Sequence, residues 1–271
     1  MRSLPTVAAL ALLAGALFAG EPEASTFTVA PGSVVRWAGP ELTDCERAGR
    51  RWAPIDGACY YPVDLGATGE LELVRRSSGG VASRRVKIAP YPWPTQHLEV
   101  EERYVSPSPA ELERIAREKE RVAALWSLES PRRFALPLAA PLAELPAASR
   151  FGARRVFNGQ PRSPHSGADY SATTGTPVFA VADGRVVLAE EHFFAGRSVF
   201  VDHGAGLISM SFHLSEIAVQ AGDEVRAGQR IGAVGATGRV TGPHLHFAVR
   251  WRGARIDPAL VLGSAAPVEI E

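Results

Sequence analysis

From Ser25 to about Tyr104, apolar and polar positions alternate over short stretches broken by Gly and Pro. Phe27-Thr28-Val29, Glu70-Leu71-Glu72-Leu73-Val74 and Val86-Lys87-Ile88 are the clearest. A period of two residues predicts strands, so residues 25–104 are expected to form a small all-β, sandwich-like domain. The pattern then changes. Ser108-Pro109-Ala110-Glu111 carries a capping-box pair with Pro at the first helical position, and Leu112, Ile115, Lys119, Val122 and Trp126 recur at helical spacing. These predict one amphipathic helix within residues 105–130, ending before Pro131. Pro131, Pro137, Pro141 and Pro146 interrupt the apolar run that follows, which excludes a persistent helix or central strand, so residues 131–148 are expected to be an extended connector laid along the next domain. Across residues 149–262 alternation returns, in Pro177–Val181, Gly184–Leu188, Ser198–Val201, Leu207–Phe212 and His244–Val249. No helix-length periodic segment interrupts these runs, which disfavours a parallel α/β sheet and predicts a second, antiparallel β domain. The expected fold class is mainly β.

The first twenty residues differ from all of this. Arg2 precedes an apolar run from Val7 to Ala19, and Glu21-Pro22-Glu23 follows it. That layout predicts a secretory signal over residues 1–20, with Ala19, Gly20 and Ala24 as competing small residues for cleavage. The run is shorter than the roughly 20 residues of a comfortable membrane span. Export places Cys45 and Cys59, the two cysteines of the chain, in an oxidising compartment, where one structural disulfide is the economical expectation. Lys plus Arg and Asp plus Glu number 29 each, so there is no net field to attract nucleic acid.

Chemistry concentrates in the last domain. His165 and Asp169 stand four residues apart with Gly167 between them to permit a tight backbone. His244 and His246 flank Leu245, and on a strand residues i and i+2 share a face, so both imidazoles point into one cleft while Leu245 and Phe247 point away. His213 closes another strand. A catalytic zinc site needs three protein donors and an open position, with nearby groups to move protons. His165, Asp169 and one histidine of the His244-Leu245-His246 run supply the donors. The other histidine of that run and His213 are then left for proton transfer. His192 and His203 are expected to be structural, and His97, alone among Pro and Gln, a surface residue. The donor set has a single carboxylate, already committed to metal, which disfavours glycoside hydrolysis by a carboxyl pair.

The segments SRFGARRVFNG, HSGADY, GTPVFAVADGRVV, DHGAGLISMSFHLS and VRAGQRIGAVGATGRVTGPHLHF, with a closing DP, resemble the LytM-type, lysostaphin-like peptidases of family M23 from about Ser149 to Leu260, in the family's order. The resemblance implies that His165, Asp169 and His246 bind Zn2+ and that His213 and His244 are the catalytic histidines. It implies hydrolysis of peptide cross-links in bacterial peptidoglycan. Inactive relatives that regulate wall hydrolysis lack one or more of these five residues; this chain keeps all five. It departs from the family at Phe212, where a Tyr-rich strand is usual, which bears on substrate contacts and not on metal. Two alternatives remain open: a regulator whose intact site is shielded by the N-terminal domain or the connector, with a regulatory protein partner, and a zinc peptidase acting on another secreted peptide or protein. With no lipidation Cys after the apolar run and no Gram-positive wall anchor, the expected location is a Gram-negative periplasm and the expected bond the D-alanyl to diaminopimelate cross-link.

Overall fold

A computed structural model describes residues 27–147 and 151–271. The expected signal over residues 1–20, its candidate cleavage points and the Ser149 boundary lie outside the described residues. Strands dominate and one α-helix, Pro109–Ala124, stands among the described residues.

The first part is a two-layer sandwich. A five-stranded sheet is built from Phe27–Val29, Gly80–Ile88, Glu70–Ser77, Leu42–Arg47 and Arg50–Trp52, in that order. The second layer has Val34–Ala38 between Ala58–Pro62 and Val268–Ile270. The last strand, three residues long with Glu269 between two apolar positions, pairs in parallel with Val34–Ala38. The end of the chain therefore returns to the first sheet pair. Between the layers lie Val35, Trp37, Tyr61, Leu73, Val86, Ile88 and Ile270, all buried. Cys45 and Cys59 are bonded, with Cα atoms 5.4 Å apart, and since they come from opposite layers the bridge staples the sandwich. Thr95–Leu98 does not join the sandwich: it pairs in parallel with Arg154–Phe157, which leads into Gln160–Arg162.

The second part centres on a sheet in the order Gly167–Tyr170, Leu245–Trp251, Leu207–Leu214, Gly196–Asp202, Gly184–His192 and Glu224–Val225, with Ala254–Ile256 paired to Leu245–Trp251. Alternation divides it into two unlike faces. Leu245, Phe247, Val249 and Trp251 face a large apolar core with Tyr170, Val186, Val199, Val201 and Leu207. The connector seals that core with Phe134, Leu138 and Leu142, and is tied down by the Leu138 amide on the Val261 carbonyl and the Ala139 amide on the Val181 carbonyl. The opposite face carries Leu188, Phe200, Ile208, Met210 and Ala248.

The helix lies across this opposite face. Its start follows the predicted capping box: Ser108 Oγ accepts from the Glu111 amide, and the Glu111 carboxylate accepts from the Ser108 amide. The helical stripe differs from the expected one. Leu112 is exposed and Glu118 is the buried position, with Ile115, Val122, Leu125 and Trp126 half-buried around it. A carboxylate is tolerated there because it is fully engaged: Glu118 accepts from the Phe193 amide at 2.9 Å and from Arg114 Nε at 2.6 Å. Val122, Leu125 and Trp126 cover Phe200, Met210 and Ala248, and the Arg250 guanidinium sits 4.2 Å above the Trp126 ring.

Candidate metal centre

Asp169 and His246 occupy directly opposed positions on the paired strands Gly167–Tyr170 and Leu245–Trp251, and His165 enters from the segment before the first of these, where its amide and carbonyl are bonded to Ala153 and Gly152. The side chains converge. His165 Nε2 lies 2.9 Å from His246 Nδ1 and 2.9 Å from Asp169 Oδ1, and His246 Nδ1 lies 2.8 Å from the same oxygen. This trio forms a metal-competent group among the described residues, two imidazole nitrogens and one carboxylate oxygen. Two imidazole nitrogens and a carboxylate oxygen drawn this close to one another are the donor atoms that a metal ion takes. A single divalent cation satisfies all of them and leaves coordination positions open.

Local structure explains the convergence. Gly167 is not among the glycines with a left-handed backbone; what it supplies is room for a close approach. A Cβ built there would stand 2.6 Å from His246 Nε2 and 2.6 Å from the Phe247 carbonyl oxygen. The glycine is needed to let the His246 ring pass close to the neighbouring strand. On its other side, His246 is covered by the parallel ring of Phe212, 5.3 Å away at 1° between planes, from the directly paired position on Leu207–Leu214. The second Asp169 oxygen, Oδ2, accepts from Arg155 Nη2 at 3.2 Å, which orients Oδ1 toward the histidines.

His213 and His244 border the trio. On a regular strand His213 would follow Phe212 to the opposite, core-facing side. Its backbone instead takes a left-handed conformation, φ 64°, at the point where Leu207–Leu214 ends, and its ring stands 5.8 Å from His246 and 5.0 Å from His244. That conformation costs an L-residue about 1–2 kcal/mol. It is held by the His213 amide on the Ala195 carbonyl. His213 Nδ1–H donates to the Thr237 carbonyl at 2.9 Å, and His244 Nδ1–H donates to the Gly242 carbonyl at 2.9 Å. Both tautomers are thereby set, with Nε2 carrying the lone pair. For His244 that nitrogen is 3.6 Å from Asp169 Oδ1.

The electrostatics suit metal capture. Burial pushes the Asp169 carboxyl up, but the hydrogen bonds from His165 and His246 outweigh it and hold the group well below the usual carboxylate range. Burial pushes His246 down to about 4, against its hydrogen bond to Asp169. Burial, then the neighbouring His246 and His244, hold His213 well below its ordinary value. At neutral pH the carboxylate is ionised and these imidazoles are neutral, the protonation state a metal requires of its donors.

The other histidines lie apart. His203 is buried and spends both nitrogens, on the Asp183 carbonyl and Ser209 Oγ, at 2.8 Å each. His192 is buried near the helix, 3.1 Å from Glu190, and His97 is exposed. Sequence reasoning missed Arg155, whose only signal was a charged position on a short strand, and it did not place the helix across the sheet face that carries Phe200 and Met210. Between helix and sheet runs a cleft of about 460 Å³, lined by Ile115, Trp126, Ser166, Phe194, Met210 and Phe212.

An antiparallel β domain presenting two histidines and an aspartate to one point, with two further histidines alongside, has the makings of a metallohydrolase. Residues 163–258 match the model of peptidase family M23. A crystal structure of a putative M23 peptidase from Pseudomonas aeruginosa superposes with a TM-score of 0.66 at 33% identity, covering 87% of this chain and 96% of that one. The chain belongs to peptidase family M23, a family of metallopeptidases. It is also similar to the peptidoglycan DD-endopeptidase ShyA of Vibrio cholerae, 44% identical over 110 residues, which cover 40% of this chain and 26% of the relative. With the DD-carboxypeptidase/endopeptidase Mpg of Neisseria meningitidis the identity is 43% over 97 residues, covering 36% of this chain and 22% of the relative. The matched part thus spans about a quarter of the length of these curated relatives.

Proposed function

We infer that this protein is a zinc-dependent endopeptidase that hydrolyses peptide cross-links of bacterial peptidoglycan outside the cytoplasm. The observation that carries the reading is the triangle of His165 Nε2, Asp169 Oδ1 and His246 Nδ1, with sides of 2.8–2.9 Å, flanked by two histidines of fixed tautomer. The substrate class is supported by relatives named as peptidoglycan DD-endopeptidases. Two nitrogens and one carboxylate oxygen are a donor set that zinc takes in catalytic sites. When bound, zinc supplies Lewis acidity toward the scissile carbonyl and an activated water.

The remaining chemistry belongs to the chain. Asp169 balances charge and is itself oriented by Arg155. His213 and His244, each with Nδ1–H given to a backbone carbonyl, present an unprotonated Nε2 and so accept a proton from the attacking water and return it to the departing amine. The ring of Phe212 and the burial around it limit water beside His246. The test is a digest of purified cell wall: cross-linked muropeptide dimers should fall to monomers, stop with a chelator and resume with zinc. New sugar reducing ends with dimers intact would defeat the reading.

A second reading keeps the same centre but shields it, and it is favoured by the helix Pro109–Ala124 lying across the face that carries His246. Val122→Asp should loosen the helix from Met210 and Phe200. A several-fold rise in cleavage supports shielding, whereas a fall means the helix is a wall of the working groove.

A further inference from the structure

Beside the metal centre stand three arginines, Arg155, Arg162 and Arg239, with one carboxylate, Asp169, paired to them among the described residues. Arg239 lies between two aromatic faces, its guanidinium carbon 4.3 Å from the centre of the Phe157 ring and 4.6 Å from that of Phe194. Arg155 shares the Phe157 ring, at 5.9 Å, and reaches Asp169 with Nη2. Arg162 donates to the Val105 carbonyl and to Gln160, and to no carboxylate among the described residues. Arg239 itself is half-buried and makes no side-chain hydrogen bond or ion pair among the described residues. Burial, followed by the charges of Arg155 and Arg162, pushes it down to about 10.

Two physical points follow. A half-buried guanidinium held between two rings, with no carboxylate paired to it among the described residues, is better satisfied when something of opposite sign comes to it. Its planar fork, with side-chain freedom already removed by the two rings, is suited to a carboxylate in a bidentate pair. The location matters as much. Phe194 lines the cleft together with Phe212, whose ring lies against His246, and Arg155 touches Asp169, so Arg239 and Arg155 lie between the cleft wall and the reacting centre. Asp169 is the one acid in contact with the cluster among the described residues, and a bound cation would claim it.

We propose that Arg239, supported by Arg155 and Arg162, is a specificity subsite that binds a free carboxylate of the substrate peptide next to the scissile bond. The proposal rests on the endopeptidase reading above and adds to it which peptides are preferred. Arg239 and its ring clamp bind the anion; Arg155 divides its role between the substrate side and Asp169.

The test begins on the substrate and so does not depend on any variant folding. Zinc-loaded wild-type protein is given cross-linked stem-peptide dimers with free carboxylates next to the scissile bond, and the same dimers with those groups converted to carboxamides. The carboxylate form should be cleaved with a kcat/KM about tenfold to a hundredfold higher, the range expected for one charge-assisted pair. The difference should sit mainly in KM. In Arg239→Gln the ratio between the two substrates should collapse toward one, and Arg239→Lys should restore part of it. Metal content and thermal unfolding of each variant are measured alongside. A binding arm is independent of turnover: calorimetry with an uncleaved D-amino-acid dipeptide and its amide should give a Kd ratio in the same sense, lost in Arg239→Gln. Equal cleavage and equal binding of the two forms by wild-type protein overturns the subsite while leaving the endopeptidase reading intact. If neither dimer is cut, the endopeptidase reading fails, and the binding arm alone decides the subsite.

Discussion

The two sheet systems solve the problem of burial in opposite ways. The N-terminal sandwich buries Val35, Trp37, Tyr61, Leu73 and Val86 between its layers and closes with a disulfide. Its stability is that of apolar area removed from water, with Tyr61 disposing of its hydroxyl on the Val74 carbonyl. The C-terminal sheet has one face of that kind and one that buries His165, His213 and His246 beside Asp169. His203 provides the control within the same domain: equally buried, it finds an ordinary acceptor or donor for each nitrogen and needs nothing more. The trio finds chiefly itself. A buried polar group satisfied by the fold is structure, whereas buried donors that point at one another call for a further occupant, and the contrast separates function from packing.

The largest expected effects lie on the active face. His213→Ala and His244→Ala should each lower kcat by about 10²–10⁴-fold while leaving bound metal stoichiometric, since their Nε2 atoms are assigned to proton movement. Loss of metal from His244→Ala would exchange its role with that of His246. A smaller effect is expected at Gly167. A methyl group there meets His246 Nε2 and the Phe247 carbonyl at 2.6 Å, so Gly167→Ala should displace the ring and weaken metal binding by roughly 10–100-fold, measured by competition with a chromophoric chelator. Unchanged affinity would mean that the ring is not held where the donor triangle requires it. At the metal centre the smallest effect should come from the sandwich. Replacing Cys45 and Cys59 by Ser removes a cross-link over 14 residues and should destabilise the sandwich by about 3 kcal/mol, read by denaturant unfolding, with metal affinity unaltered. A parallel loss of metal would make the two regions one cooperative unit and erase the distinction drawn between them.

Much of this was legible in the chain because it rests on short-range rules. Strand alternation placed Leu245 and Phe247 on the core side and His246 opposite, and the capping box marked the start of the helix at Ser108. The five candidate residues, separated by up to 81 positions, are brought into one neighbourhood. What escaped depended on contacts distant in sequence or on single backbone angles. The periodicity assigned Leu112 to the covered stripe by its type, but Glu118 takes the buried place because the Phe193 amide needs an acceptor there. Val268–Ile270 is too short to announce itself, and its partner lies at Val34–Ala38. His213 reaches the active face only through a left-handed backbone that alternation cannot foresee. The resemblance named residues and chemistry; it did not anticipate that Arg155 would orient Asp169 or that the helix would cross the sheet beside them.

The central claim is that His165, Asp169 and His246 form a zinc site, and calorimetric titration of the metal-free full chain with zinc tests it most directly. The account predicts a single tight equivalent in the wild-type protein and no stoichiometric binding in Asp169→Ala, whose sandwich should stay folded by near-ultraviolet circular dichroism. Stoichiometric zinc bound by Asp169→Ala with undiminished affinity would contradict it.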